Sequence, residues 1–302
     1  MKIIQLFAWL IVLTLSLAMC KSKNGQNTTD ISVPADANDS MDITSGWKLG
    51  VQMWTFHKFP FVTALQKADS AGIKFIEAFP GQPLGGDFKD SFGVNMSTDS
   101  RAKIKTMLAE KGIRLVAFGV VVPESPAEWK TIFDFAKDMG IQYITAEPRR
   151  QHWDTINTLA GEYAIMVAIH DHPRPSPYDH PDSVLTAING RINLGACADV
   201  GHWARNGLDV TQCLKTLEGR IVGLHLKDID QFDKVDAKDV VLGTGVIKFP
   251  DMFAELRRQN FKGMFSIEHE ANWENNVPDV ISDRQFYEKT VADSKTAAPA
   301  EQ

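Results

Sequence analysis

Cysteine is scarce in this chain, with three in 302 residues. Cys20 closes an N-terminal apolar stretch, which leaves Cys197 and Cys213 for the body. Two thiols do not make a disulfide framework. Cys197, inside the apolar run INLGACA, reads as a small core residue. A basic excess is also missing: 32 Lys plus Arg stand against 38 Asp plus Glu, a formal net charge of −6. Binding to phosphate backbones calls for a basic face, so nucleic acid is excluded as the main partner. Neither end carries a long run of like charge, and no linker or composition break divides the body. A glycine-rich phosphate fingerprint is absent too, which argues against a dinucleotide-type open sheet and against a phosphorylated substrate.

What is present begins with a leader. Lys2 is followed by apolar residues from Ile3 to Met19, then Cys20, then the polar KSKNGQNTTD, the pattern of an export signal. A spanning helix takes about 20 apolar residues, so the stretch is marginal for one. The ending LAMC resembles a bacterial lipobox, whose Cys is lipidated and becomes the new N-terminus; Met19 departs from the small residue usual before it. The expectation is therefore a signal peptide over 1–19, a lipidated Cys20 and a flexible polar tether over 20–46. The protein is then an exported lipoprotein, periplasmic or membrane-anchored, touching the membrane only through its lipid. Plain secretion and a retained anchor are the alternatives. The body spans 47–295, with a short tail over 296–302.

From Gly46 onward a rhythm appears. Strand-like runs (WKLGVQMW, IKFIEAF, IRLVAFGVV, IQYITAEP, MVAIHDHP, INLGACADV, IVGLHLKD, MFSIEHE) alternate with segments of helical apolar spacing, several ending in Gly. Eight such pairs over roughly 240 residues match the size and repeat of a single-domain α/β fold, the (β/α)8 barrel. A doubly wound open sheet is the structural alternative.

In a parallel barrel the catalytic groups come from the C-terminal ends of the strands. Those ends read Gln52-Met53-Trp54, Glu77, Phe118-Gly119, Glu147, His170-Asp171-His172, Asp199 with His202, His225-Leu226-Lys227-Asp228, and Glu268-His269-Glu270. A lone strand-end acid is usually a helix N-cap, and a lone His is usually a bonded core residue. Five consecutive strand ends carrying one or the other are harder to assign to chance. Asp199, His225 and Glu268 would meet in one mouth, where carboxylate oxygen and imidazole nitrogen suit a divalent metal such as Mn, Co, Mg or Zn. A cation also relieves the repulsion among converging carboxylates.

At these residues the sequence resembles the xylose isomerase-like barrel family of sugar isomerases, ketose 3-epimerases, inosose dehydratases and metal-dependent endonucleases. The pieces are the DxxH of Asp199 to His202, HLKD from His225, GTG from Gly243, and FSIEHE around Glu268. The resemblance implies a metal held by acids on strands five, six and eight and a His on strand seven. Asp199, His225 and Glu268 carry over. At strand five this chain reads AIHDH where many relatives read AIENH, so His170 takes the place of the glutamate. Glu147 is a nearby carboxylate, and it is favoured over His170 as the additional ligand.

The departure bears on the reaction. The family's epimerases use two glutamates, one on each face of the inverted carbon, and here one of that pair is a histidine. A one-base, one-acid reaction fits better. AEP, AIHDHP, GACADVGHW and GTG together resemble a subgroup acting on 3-keto-glycosides, removing the C2 proton and expelling the anomeric substituent to leave a 3-keto-2-hydroxyglucal. A C3 ketone acidifies that proton, and a Lewis-acidic metal stabilises the resulting charge. His170, His172, His202 and Lys227 are the expected catalytic groups, the base being His170 or His172. Trp54, Glu77, Trp203 and Glu270 are expected to bind a small carbohydrate, with Phe56 a further stacking candidate. A sugar isomerase or epimerase is the first alternative, and a carbohydrate-binding protein without metal or turnover the second. Export and acidity disfavour the endonuclease branch.

Overall fold

A computed structural model describes residues 46–296. The leader, Cys20 and nearly all of the tether lie outside the described residues, as does the tail beyond 296. Seven strands come first: β1 (Trp47–Gln52), β2 (Phe75–Ala78), β3 (Arg114–Val121), β4 (Tyr143–Ala146), β5 (Met166–His170), β6 (Leu194–Asp199) and β7 (Ile221–Leu226). A short antiparallel ribbon of β8 (Asp228–Ile229) and β9 (Asp239–Val240) follows, and β10 (Gly263–Ile267) completes the set. The eight longer strands pair in parallel in the closed order β1-β10-β7-β6-β5-β4-β3-β2. This is the (β/α)8 barrel, in one domain, that the repeat of strand and helix implied. The ribbon was not anticipated.

The helices between the strands are α1 (Phe61–Ser70), α2 (Thr98–Lys111), α3 (Pro126–Met139), α4 (Trp153–Tyr163), α5 (Pro181–Ile188), α6 (Val200–Arg205), α7 (Val210–Thr216), α8 (Phe249–Arg258) and α9 (Val277–Thr296). Their ends are written in the sequence. Ser97 and Ser125 cap α2 and α3 by accepting from the amides of Ser100 and Glu128, and Gly112 and Gly140 close them in the left-handed region. On α3, Trp129, Phe133 and Ala136 turn inward and are fully buried. Burying one such aromatic side chain contributes roughly 1.5–3 kcal/mol. No helix among the described residues is long and apolar enough to cross a membrane.

Strand β6, LGACAD, is buried along its whole length, as expected where a parallel sheet is covered on both faces. It pairs with β7 so that Asp199 stands beside His225, while β10 sets Ser266 on the other side of His225. The hydrophobic pattern thereby fixes the level at which the ionisable strand ends meet.

Candidate active site

Four side chains converge at the mouth of the late strands. His170, Asp199, His225 and Glu268 each bring one donor atom to within 4.8 Å of the others, and all four are buried. His170 Nε2 lies 3.0 Å from His225 Nδ1, which is 3.1 Å from a Glu268 oxygen. Asp199 Oδ2 stands 3.8 Å from His170 and 3.9 Å from His225.

Local structure explains how each is aimed. Asp199 is indeed a helix N-cap: Oδ1 accepts from the His202 amide at 3.0 Å and opens α6. That use of one oxygen leaves Oδ2 turned into the cluster, buried and without a hydrogen bond. His225 is held from beneath, because its Nε2 is 2.9 Å from Glu77 Oε2. Glu77 in turn accepts from the Thr145 and Ser266 hydroxyls. Because Nε2–H donates to Glu77, Nδ1 is the nitrogen a bound ion would take on losing its proton, the tautomer control seen beneath metal-binding histidines. Burial works against a charge on His225, but the surrounding groups, Glu77 and Glu268 among them, raise its proton affinity. Gly201 has a steric role: a Cβ there would come within 2.6 Å of the Lys227 stem. Glycine in DVGHW lets that lysine run under α6.

Among the described residues, Lys227 is the buried side-chain cation that faces Asp199, Glu268 and Glu270 together, at 3.4, 3.3 and 3.5 Å. Burial works against its charge, but the three carboxylates outweigh it and raise its proton affinity above the usual lysine value. Burial also raises the Asp199 pKa, with Lys227 opposing. Glu268 is held well below the ordinary range, since Lys227 and His225 overcome its burial. Burial, then the charges of His172 and His225, keep His170 neutral.

The donor set fits a divalent cation. Two facing imidazole nitrogens and two carboxylates, one oxygen of which accepts no hydrogen bond, lack enough protons to satisfy one another. Four ligands about 2.0–2.2 Å from a shared ion in tetrahedral array are roughly 3.3–3.6 Å apart, and the separations here bracket that spacing. His170, Asp199, His225 and Glu268 are the residues that could hold such an ion.

Above the cluster opens a cavity of about 400 Å³, a size that takes a small molecule. One wall is Trp54, Phe79, Val120 and Val122; the other carries Glu147, His172, Glu268 and Glu270. His172 Nδ1 lies 2.7 Å from Glu147 Oε1, which also accepts from the Ser176 hydroxyl at 3.0 Å. Burial lowers the proton affinity of His172, yet Glu147 more than compensates and its pKa is raised. Donating Nδ1–H to Glu147 leaves Nε2 as the basic nitrogen.

The expected residues are therefore sorted by geometry. Asp199, His225 and Glu268 come together. The fourth member of their group is His170 and not the favoured Glu147, which forms a separate group with His172 and His170. Trp54, 40% exposed, and Glu270 stand on the cavity wall. Glu77 does not face a substrate: it is fully buried and spent on His225. Trp203 and Phe56 are likewise sealed in the core at 0% exposure and form no sugar wall. His202 sits behind the site, its Nδ1 taken by Arg205 at 3.1 Å and its Nε2 3.5 Å from Lys227. It does not line the cavity.

Several contributors went unread. Ser176 steadies Glu147 and gave no signal. Arg205 pairs with Asp239, its partner 34 positions on across a loop. The HLKD and GTG motifs are joined through Asp228, whose oxygens accept from the amides of Ile229, Gly243, Gly245 and Ile247. A Cβ at Gly245 would meet an Asp228 oxygen at 2.4 Å. The GTG therefore shapes the loop after β7 around one carboxylate.

A closed parallel barrel with imidazoles and carboxylates gathered at the C-terminal mouth defines a class of barrels whose mouth could hold a divalent metal. Within it the chain belongs to the xylose isomerase-like TIM barrel family, whose model matches residues 65–289. Its sequence is 34% identical over 89 residues to inosose dehydratase from Mesomycoplasma hyopneumoniae (strain 7448), a match covering 24% of this chain and 30% of that protein. Among solved structures, an uncharacterised protein from Parabacteroides distasonis ATCC 8503 is 35% identical with a TM-score of 0.67, covering 80% of this chain and 98% of that one. The IolI protein with a bound zinc atom shares the fold at 18% identity and a TM-score of 0.68, covering 82% and 99% of the two chains.

Proposed function

We propose that this protein is an exported, metal-dependent carbon–oxygen lyase that cleaves 3-keto-glucosides to a 3-keto-2-hydroxyglucal and the free aglycone. The observation that carries it is the asymmetry of the bases. A two-base epimerase needs a carboxylate on strand β5, and this chain has His170 there, drawn into the metal group with its Nε2 3.0 Å from His225. One basic pair remains on the cavity wall, Glu147 and His172. The likeness to a protein named for dehydration supports elimination over inversion.

His170, Asp199, His225 and Glu268 would hold the ion, Mn, Co, Mg or Zn; the zinc of IolI supports such an occupant. When bound, it supplies Lewis-acid polarisation of the C3 ketone. His172 Nε2 takes the C2 proton while Glu147 holds the ring by Nδ1. The electron pair of the broken C2–H bond becomes the C1=C2 bond as the C1–O bond breaks, and the aglycone oxygen takes up the proton that His172 removed from C2, so no oxidant is needed. Lys227, buried behind Glu268 and Glu270 at 3.3 and 3.5 Å, would serve as fixed positive charge behind these two carboxylates of the cavity wall. Trp54 stacks on the sugar's apolar face. Lipidation at Cys20 would keep the enzyme at the membrane surface and needs no spanning segment.

An isomerase or epimerase using the same metal and carbonyl logic is the second reading, favoured by the fold shared with an L-ribulose 3-epimerase. The test is elemental analysis of the purified protein, then incubation with methyl 3-keto-glucoside in deuterated water and mass spectrometry. Released methanol with a 3-keto-2-hydroxyglucal supports the lyase. A deuterated epimer without release supports the second reading, and sugar binding with neither metal nor turnover would leave a binding protein.

A further inference from the structure

A second cavity, of about 600 Å³, lies on the other side of Glu270. Glu270 lines both this cavity and the one above the metal group. The walls of the second come from Arg205 at the end of α6, Lys238 and Asp239 of the ribbon, and the loop after β10 with His269 and Ala271. Asp279 of α9 closes it.

The lining mixes both signs. Arg205 is ion-paired to Asp239, and His269 stands between Asp279 at 3.3 Å and Asp283 at 3.4 Å. One buried donor there has no hydrogen bond, Arg205 Nε, on a residue 8% exposed, while His269 Nε2 faces the Asp279 carboxylate. An anion would meet Asp239, Glu270 and Asp279. A cation would meet Arg205 and Lys238. An apolar group would cover charged atoms and return no hydrogen bonds. A neutral molecule rich in hydroxyls suits the mixture, because each hydroxyl both donates and accepts.

We propose that this cleft is the subsite for the leaving group and that the leaving group is a second sugar, so that the substrate class is a disaccharide. The naming of the occupant as leaving group rests on the lyase reading; the preference for a two-sugar ligand does not. The keto-sugar sits over the metal group, and its glycosidic neighbour crosses Glu270 into the second cleft.

Two variants test it. Lys238→Ala trims an exposed lining residue and Ala271→Phe fills the cleft, with circular dichroism and thermal melts confirming that each folds. The ratio of kcat/KM for 3-keto-disaccharides to that for methyl 3-keto-glucoside is expected to fall about tenfold in either variant. Calorimetry with maltose, cellobiose and trehalose against glucose gives a readout without turnover: at least one disaccharide should bind wild type some tenfold more tightly than glucose does, and Ala271→Phe should abolish that margin. Equal affinity for glucose and every disaccharide, no sugar binding at all, or a margin untouched by Ala271→Phe would overturn the subsite. Absent turnover with an intact binding margin would sink the lyase reading and leave the subsite standing.

Discussion

The two arcs of the barrel mouth are built from different materials. Strands β5, β6, β7 and β10, neighbours in the closed order, end in His170, Asp199, His225 and Glu268. Across the mouth, the exits of β1, β2 and β3 present Trp54, Phe79, Val120 and Val122 to the cavity. A single ion needs its ligands within a few ångströms, so they must come from adjoining strands. A sugar ring has polar edges and an apolar face, and the other arc is free to meet that face. The division separates chemistry from fit, and substitutions on the two arcs should separate in the same way.

The largest effect belongs to the charged arc. Chelation, or Asp199→Asn, is expected to take metal content from near one ion per chain to near none, and turnover of the keto-glucoside down by about 10³-fold or more. Several kcal/mol of charge stabilisation at the carbonyl would go with the ion. Metal analysis and initial rates check it; a variant that loses the ion yet keeps its rate would dissolve the distinction between the arcs. Next comes the pair at the boundary. His172→Gln should lower kcat by about 10²–10⁴-fold with metal content unchanged, as removal of a general base does. Glu147→Gln should lower kcat less, by about 10–100-fold, again with the ion retained, because it orients the base. Loss of metal in Glu147→Gln would return that carboxylate to the ligand set and blur the boundary.

The two arcs also differ in how much of them could be read in advance. Ionisable residues at the ends of buried apolar strands are rare enough to stand out, so Asp199, His225 and Glu268 were legible, as was the barrel from its eight repeats. Direction was not. Glu77 ends a strand like the others, yet its carboxylate is taken up inside the barrel by His225, Ser266 and Thr145, and strand ends alone do not reveal whether an inward side chain reaches the mouth or stops beneath it. His202 follows Asp199 by one helical turn and is drawn back to Arg205. Glu147 and His170 exchanged their expected places for the same reason: which of two nearby side chains reaches the cluster depends on strand register, visible only in the closed sheet. Trp54 on the apolar arc and Trp203 on α6 carry the same side chain, one exposed at the cavity and one wholly buried. Nothing in residue type distinguishes a wall from a core. The partnership of Arg205 with Asp239 needs the ribbon of β8 and β9, whose short strands give little periodicity to detect.

The smallest effect should come from the apolar arc. Trp54 stacks on His57 with ring centroids 4.6 Å apart and meets Phe79 edge-on at 5.0 Å. These contacts hold the indole in place without help from the charged side. One aromatic face is worth about 1 kcal/mol of contact beyond its buried area, so Trp54→Ala should raise KM by about five- to tenfold while kcat changes less than about twofold. Trp54→Phe should restore most of the loss, since the ring and not the indole N–H does the stacking. Steady-state kinetics on the three proteins, with metal content measured alongside, decide the point. A fall in kcat that tracks a fall in bound metal would mean that the wall supports the ligand set after all, and the two arcs would have to be treated as one site.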